Sequence, residues 1–210
     1  MKYLSTILLL SFFTIVYGQK LDKSTRILLK SKMDSISVDD QKYRLQLMLG
    51  ELDKHKLDSL NKLPFNSFWD RVNKVGRKEV GFSRQISDSL WNIQNRLDSL
   101  NAIKFIEIIN KYGYPSYKRT KSYTSSTISL HLIGKLYFDR LLPLFTSEQQ
   151  KGNMPSDEFA RWFDRNNLVS GKKQLFGEYN SKYPCVDNII ETNSERKKIG
   201  LKPLKKNNCK

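Results

Sequence analysis

Apolar residues recur along this chain at intervals of three and four, the period of an amphipathic helix, through most of its length after the first eighteen positions. From Asp39 the segment DDQKYRLQLMLGELDKHKLDSLNKL keeps Leu45, Met48, Leu49, Leu52, Leu60 and Leu63 near that spacing. Asp39 and Asp40 stand where a cap and first-turn acids belong, so they predict the start of the main N-terminal helix. A shorter helix is expected before it, around Ile27 to Ile36. Pro64 to Phe82, punctuated by Pro64, Gly76 and Gly81, reads as a connection. Ile86, Leu90, Ile93, Leu97 and Leu100 open a strong helical stretch that Ile103, Ile106 and Ile109 continue. Asp98, Ser99 and Asn101 would cap a second helix inside it, and Gly113 with Pro115 ends it.

Further on, Ile128, Leu132, Leu136 and Phe138 give Ser122 to Arg140 one apolar face, with a bend or restart expected at Pro143. Pro155 to Phe163 predicts a short helix with Asp157 and Glu158 in its first turn. The pattern then changes. Leu168 to Phe176 reads as two short strand-like runs around Ser170-Gly171, a small β-hairpin. A last helical turn from Ser194 to Ile199 ends at Gly200. The expected fold is mainly α, one helical domain over residues 19–210 carrying a hairpin at 168–176.

The first eighteen residues, MKYLSTILLLSFFTIVYG, follow another logic. Lys2 precedes an apolar run from Leu4 to Tyr17, and Val16 and Gly18 fit the −3 and −1 positions of a signal-peptidase site. This predicts an exported chain, periplasmic or secreted, cleaved after Gly18. The run is too short and too interrupted by Ser and Thr for a membrane span, and no Cys follows it to take a lipid.

Charge adds a constraint. The chain has 37 Lys and Arg against 21 Asp and Glu, a net +16. Residues 19–90 carry +5, residues 91–150 carry +4 and residues 151–210 carry +6. A nucleic-acid interface would concentrate that excess in a stripe; the even spread and the export signal argue against one. Weak attraction to anionic envelope material is one reading, and a solvated basic surface the other.

Two cysteines, Cys185 and Cys209, lie near the C-terminus. Outside the cytoplasm they either bridge or remain free thiols. A bridge would close a loop of about 24 residues, worth ~3 kcal/mol. These cysteines with His55 and His131 lack metal-ligand spacing. Metal-hydrolase, nucleophile-elbow and phosphate-loop motifs are missing from the sequence, and no cofactor is expected.

Several polar positions form an ordered frame: Asp40-Gln41-x-x-Arg44, Asp98-x-x-Asn101, Gly113-Tyr114-Pro115, His131, Asp164-Arg165, Gly171-Lys172-Lys173-Gln174-x-Phe176-Gly177, and Arg196-x-x-x-Gly200-Leu201-x-Pro203-Leu204. Over residues 38–204 this resembles a family of bacterial proteins, often exported, known as a domain of unknown function. The resemblance implies no activity. One departure stands out: the family reads Gln-x-Tyr-Gly-Thr-Gln where this chain has Gln174-Leu175-Phe176-Gly177-Glu178-Tyr179. If those polar groups belong to a site, this member has altered it.

His131 is the candidate for proton transfer, because an imidazole titrates near neutrality and a carboxylate can tune it; a satisfied structural histidine is the plainer alternative. Asp40 and Arg44 have the spacing of an intrahelical ion pair, while Gln41 and Arg44 would otherwise face a pocket. Arg165 offers a planar fork for a carboxylate or phosphate, Asp164 suits backbone amides, and Gln174 suits an amide or sugar hydroxyl. Arg196 would bind a ligand or fasten the C-terminal segment. The sequence therefore points first to a ligand-binding or interaction protein of the bacterial envelope, with Gln41, Arg44, Asp164, Arg165, Gln174 and Arg196 around its pocket. The alternatives are a hydrolase of an envelope component using His131 and a structural protein without a small-molecule site.

Overall fold

The structure, a computed structural model, describes residues 21–49, 84–179 and 184–207. The leader, the connection at 64–82, and Leu52, Leu60 and Leu63 lie outside the described residues, as do the side chains of Leu45, Met48 and Leu49. Among the described residues the chain is mainly helical, with seven helices: α1 (Lys23–Leu49), α2 (Arg84–Tyr112), α3 (Tyr117–Thr120), α4 (Thr124–His131), α5 (Lys135–Gln150), α6 (Ser156–Val169) and α7 (Ile189–Lys198). None of the described helices is long and apolar enough to cross a membrane.

Helix α1 is continuous where two helices were expected. Its cap is Asp22, whose carboxylate accepts the Thr25 amide at 2.9 Å and the Thr25 hydroxyl at 2.6 Å. Asp40 does not cap anything. It follows Leu29, Met33 and Ile36 in the stripe that α1 buries. Helix α2 is likewise unbroken, and Asp98 and Asn101 continue its buried stripe toward Phe105 and Ile109. The two helices run antiparallel, the Tyr43 amide meeting Gln94 at 3.1 Å and the Ile36 carbonyl, earlier on α1, meeting Asn101, later on α2, at 3.5 Å.

The expected Ser122 to Arg140 helix divides at Gly134, whose φ of +97° and ψ of 163° leave helical space. Asn166 accepts the Gly134 amide at 3.0 Å and fixes the break. Pro143 does not restart the helix; it sits inside α5. Asp139 and Pro143 are both exposed, so water reaches the carbonyl that proline leaves unpaired.

Helices α4 to α6 close over an aromatic core. Trp162 packs its ring 4.7 Å from Phe145 and 5.4 Å from Phe138, while Tyr114 lies 5.7 Å from Phe145. The Trp162 indole N–H donates to the Leu132 carbonyl at 3.1 Å, which satisfies the one polar atom of a fully buried ring.

The hairpin at 168–176 is absent. Leu168 and Val169 finish α6, and Ser170-Gly171 is its C-terminal turn: Gly171 has φ +72°, and the Lys172 amide bonds back to the Asn167 carbonyl at 2.8 Å. A glycine that ends a helix and one that turns a hairpin look alike in sequence, because both take positive φ. Beyond it the only bridge among the described residues is a parallel one between Gln174 and Val186.

Candidate functional site

The polar frame falls into three groups. The first lies where α1, α2 and α4 meet. Both Asp40 carboxylate oxygens are 2.8 Å from Nδ1 of His131. Gln41 donates to the same carboxylate. One turn on, Arg44 has its Nε 3.7 Å from Asp40 and pairs through Nη2 with Asp98 on α2. Gln94 donates to the other Asp98 oxygen at 2.7 Å, and its own carbonyl accepts the Tyr43 amide at 3.1 Å.

Asp40 is 2% exposed and Gln94 fully buried, whereas the His131 side chain keeps 19% of its surface. A carboxylate only accepts hydrogen bonds, so Nδ1 carries a proton, and on the neutral ring Nε2 is the nitrogen left with its lone pair. Among the described residues Nε2 has no hydrogen-bond partner. The Arg44 guanidinium also lies 5.7 Å from the exposed Trp91 ring.

The second group surrounds the loop after α6 and is closed. Asp164, fully buried, accepts the amides of Leu175 at 2.8 Å and Phe176 at 2.9 Å through one oxygen, and Glu178 at 2.7 Å through the other. Burial pushes the Asp164 carboxyl up, and these amides oppose that rise. Arg196 on α7 donates to the Phe176 carbonyl at 2.5 Å and the Lys202 carbonyl at 2.6 Å, and pairs with Glu178 at 2.8 Å. The Gln174 carbonyl accepts the Tyr179 amide at 3.0 Å. Arg165 lies over the Tyr179 ring of the same loop, 5.5 Å from its centroid. Asp164, Gln174 and Arg196 therefore fold this loop against α6 and α7.

Gly113-Tyr114-Pro115 belongs to a third polar centre. The Tyr114 amide donates to Glu148 at 2.8 Å and its hydroxyl to Glu158 at 2.9 Å. Burial raises the Tyr114 phenol, and the Glu158 charge adds to it; burial also raises Glu158. Glu148 behaves oppositely. Burial alone would raise it, but the Tyr114 amide, Lys151 and Asn153 together hold it below its ordinary value.

Among the described residues no group of three His, Cys, Asp or Glu side chains could hold a metal ion. Cys185 is disulfide-bonded; Cys209, the other cysteine of the chain, lies outside the described residues. Sequence reasoning paired Asp40 with Arg44 and overlooked Gln94 altogether. The usable signal was an acid or amide falling in phase with an apolar stripe, as Asp40 does after Ile36 and as Gln94 and Asp98 do before Phe105. Comparison of the chain with protein-family models, with curated proteins and with solved structures finds no match.

Proposed function

We propose that this chain is an exported protein that hydrolyses a component of the bacterial envelope by general acid–base catalysis at His131. The observation that carries this reading is the double approach of Asp40 to Nδ1 at 2.8 Å. It fixes the tautomer and the ring orientation and presents Nε2 as the base. Asp40 is the positioning residue, and Asp98 and Gln94 hold Arg44 beside it. The leader sequence and its Val16-x-Gly18 junction support export.

A second reading is ligand binding without turnover. The Arg44 guanidinium over the exposed Trp91 ring favours it, since a planar cation on an indole makes a recognition surface for flat anionic groups.

The test is hydrolysis of chromogenic esters, phosphodiesters and glycosides by the wild type, H131A and D40N. Acid–base catalysis predicts turnover on one class, lost by roughly 10²–10⁴-fold in H131A and less in D40N. Turnover that survives H131A overturns it. So does a protonated Nε2 on the neutral ring in nitrogen NMR. Wild-type protein inert on all three classes hands the site to the binding reading.

A further inference from the structure

A cavity of about 490 Å³ opens between the loop after α6 and the first turns of α7. None of the residues that line it belongs to the three-helix junction of His131, and nothing in the acid–base reading uses it. Its walls carry the Gly171-Lys172-Lys173-Gln174 run of the polar frame.

Three features bear on what it holds. First, its charges cancel. Lys172 and Lys173 face Asp187 and Glu191, with Lys173 paired to Asp187 at 2.8 Å. An anion would meet two carboxylates and a cation two ammonium groups. Second, uncharged hydrogen-bonding groups in the wall are left over. Thr192 is 3% exposed and lines the cavity, yet its hydroxyl has no partner among the described residues. The Asn167 side-chain amide has none there either. Asn188 spends its carbonyl on the α7 cap, accepting Ile190 at 2.9 Å and Glu191 at 3.3 Å, which leaves its NH₂. Third, the wall is rigid, because Asp164 and Arg196 bind the backbone of the adjoining loop from both sides. Rigidity of that kind lowers the ordering cost of binding.

From these we infer that the cavity is a saccharide site. A sugar is uncharged, and each hydroxyl both donates and accepts, which matches a wall offering a hydroxyl, a whole amide and a spare NH₂. A sugar hydroxyl in the cavity would pair with the Thr192 hydroxyl.

The experiment is a heteronuclear NMR titration of the full mature chain with N-acetylglucosamine and with glucose, followed on the backbone amides of 167, 172, 188 and 192. Saturable shifts confined to these residues, at roughly millimolar sugar, support the site. T192V, which keeps the side-chain shape, and N167A should each weaken binding about tenfold with the melting temperature of T192V unchanged. No saturable shift with either sugar overturns the proposal. Equal binding by both variants overturns it as well. Stronger shifts of the same amides by inorganic phosphate or by dialanine would assign the cavity to an anion or a zwitterion instead. Loss of His131-dependent hydrolysis has no bearing on this titration, so the two readings fail separately.

Discussion

Asp40 and His131 stand 91 residues apart in sequence, and both Asp40 carboxylate oxygens come within 2.8 Å of the same ring nitrogen. The pair ties α1 to α4, and Arg44 ties the same stretch of α1 to α2 through Asp98. Removing the carboxylate leaves the His131 Nδ1–H and the Gln41 amide without their acceptor and takes a charge from beside Arg44, which keeps Asp98. D40A therefore costs about 2–4 kcal/mol in denaturant unfolding. D40N keeps one acceptor oxygen and costs about half of that. A loss below ~0.5 kcal/mol for D40A, the range of an indifferent surface change, would show that this junction does not hold the helices together.

Glu148 and Glu158 titrate in opposite senses, from the same ordinary value of 4.5. Glu148 is held lower in the fold, so its contribution is present above 4.5 and is lost as pH falls through its folded value. Glu158 is raised, so its contribution is complete below 4.5 and declines as pH rises through its folded value. Melting curves between pH 3 and 8 separate them. E148Q lowers the melting temperature at pH 7 and flattens the acid limb. E158Q still accepts the Tyr114 hydroxyl, so it holds or raises the melting temperature at pH 7 and removes the decline above 4.5.

Two glycines with positive φ separate strain from crowding. A Cβ on Gly113, at φ +76°, would lie 2.7 Å from the Asn153 amide, 2.8 Å from Arg119 and 2.9 Å from Glu148. On Gly134, at φ +97°, it would meet nothing within 4 Å. G134A therefore costs only the backbone term, about 1–3 kcal/mol for a conformation open essentially to glycine alone. G113A adds displacement of a buried polar cluster and costs at least about 3 kcal/mol. Equal losses in denaturant unfolding would mean that the cluster yields freely.

Arg196 serves three acceptors from one planar head, at 2.5 to 2.8 Å. A lysine ammonium cannot meet them in that fork, so R196K costs about 2 kcal/mol despite keeping the charge. In D164A, hydrogen exchange should quicken at the amides of Leu175, Phe176 and Glu178 before it does in α5. Uniform quickening would place Asp164 in the global core instead.

The helices were legible because burial of one stripe imposes a period, and Leu29, Met33 and Ile36 display it. Their boundaries were less so. Asp39-Asp40 and Asp98-Ser99 carry cap-forming residues, yet both fall inside continuous helices because long-range partners, His131, Lys104 and Arg44, take the side chains. A local rule cannot see a partner brought in by folding. Ser170-Gly171 failed in the same way, since helix ends and hairpin turns ask the same thing of glycine. The frame itself announced the residues that matter but not their grouping. Asp164 and Arg196 turned to backbone groups, which leave no trace in the sequence of the loop they hold.

That last arrangement bears on how the sequence can drift. Asp164 and Arg196 grip main-chain atoms of residues 175, 176 and 178, and every amino acid except proline supplies the same amide. Exchanges of side chain there, such as a phenylalanine for a tyrosine or a glutamate for a threonine, leave those backbone contacts in place. Gly177 is the fixed point, since a Cβ there would come 2.8 Å from Leu204 and 3.0 Å from Pro184 at a φ of +70°. The loop can be rewritten around one glycine while its path stays the same.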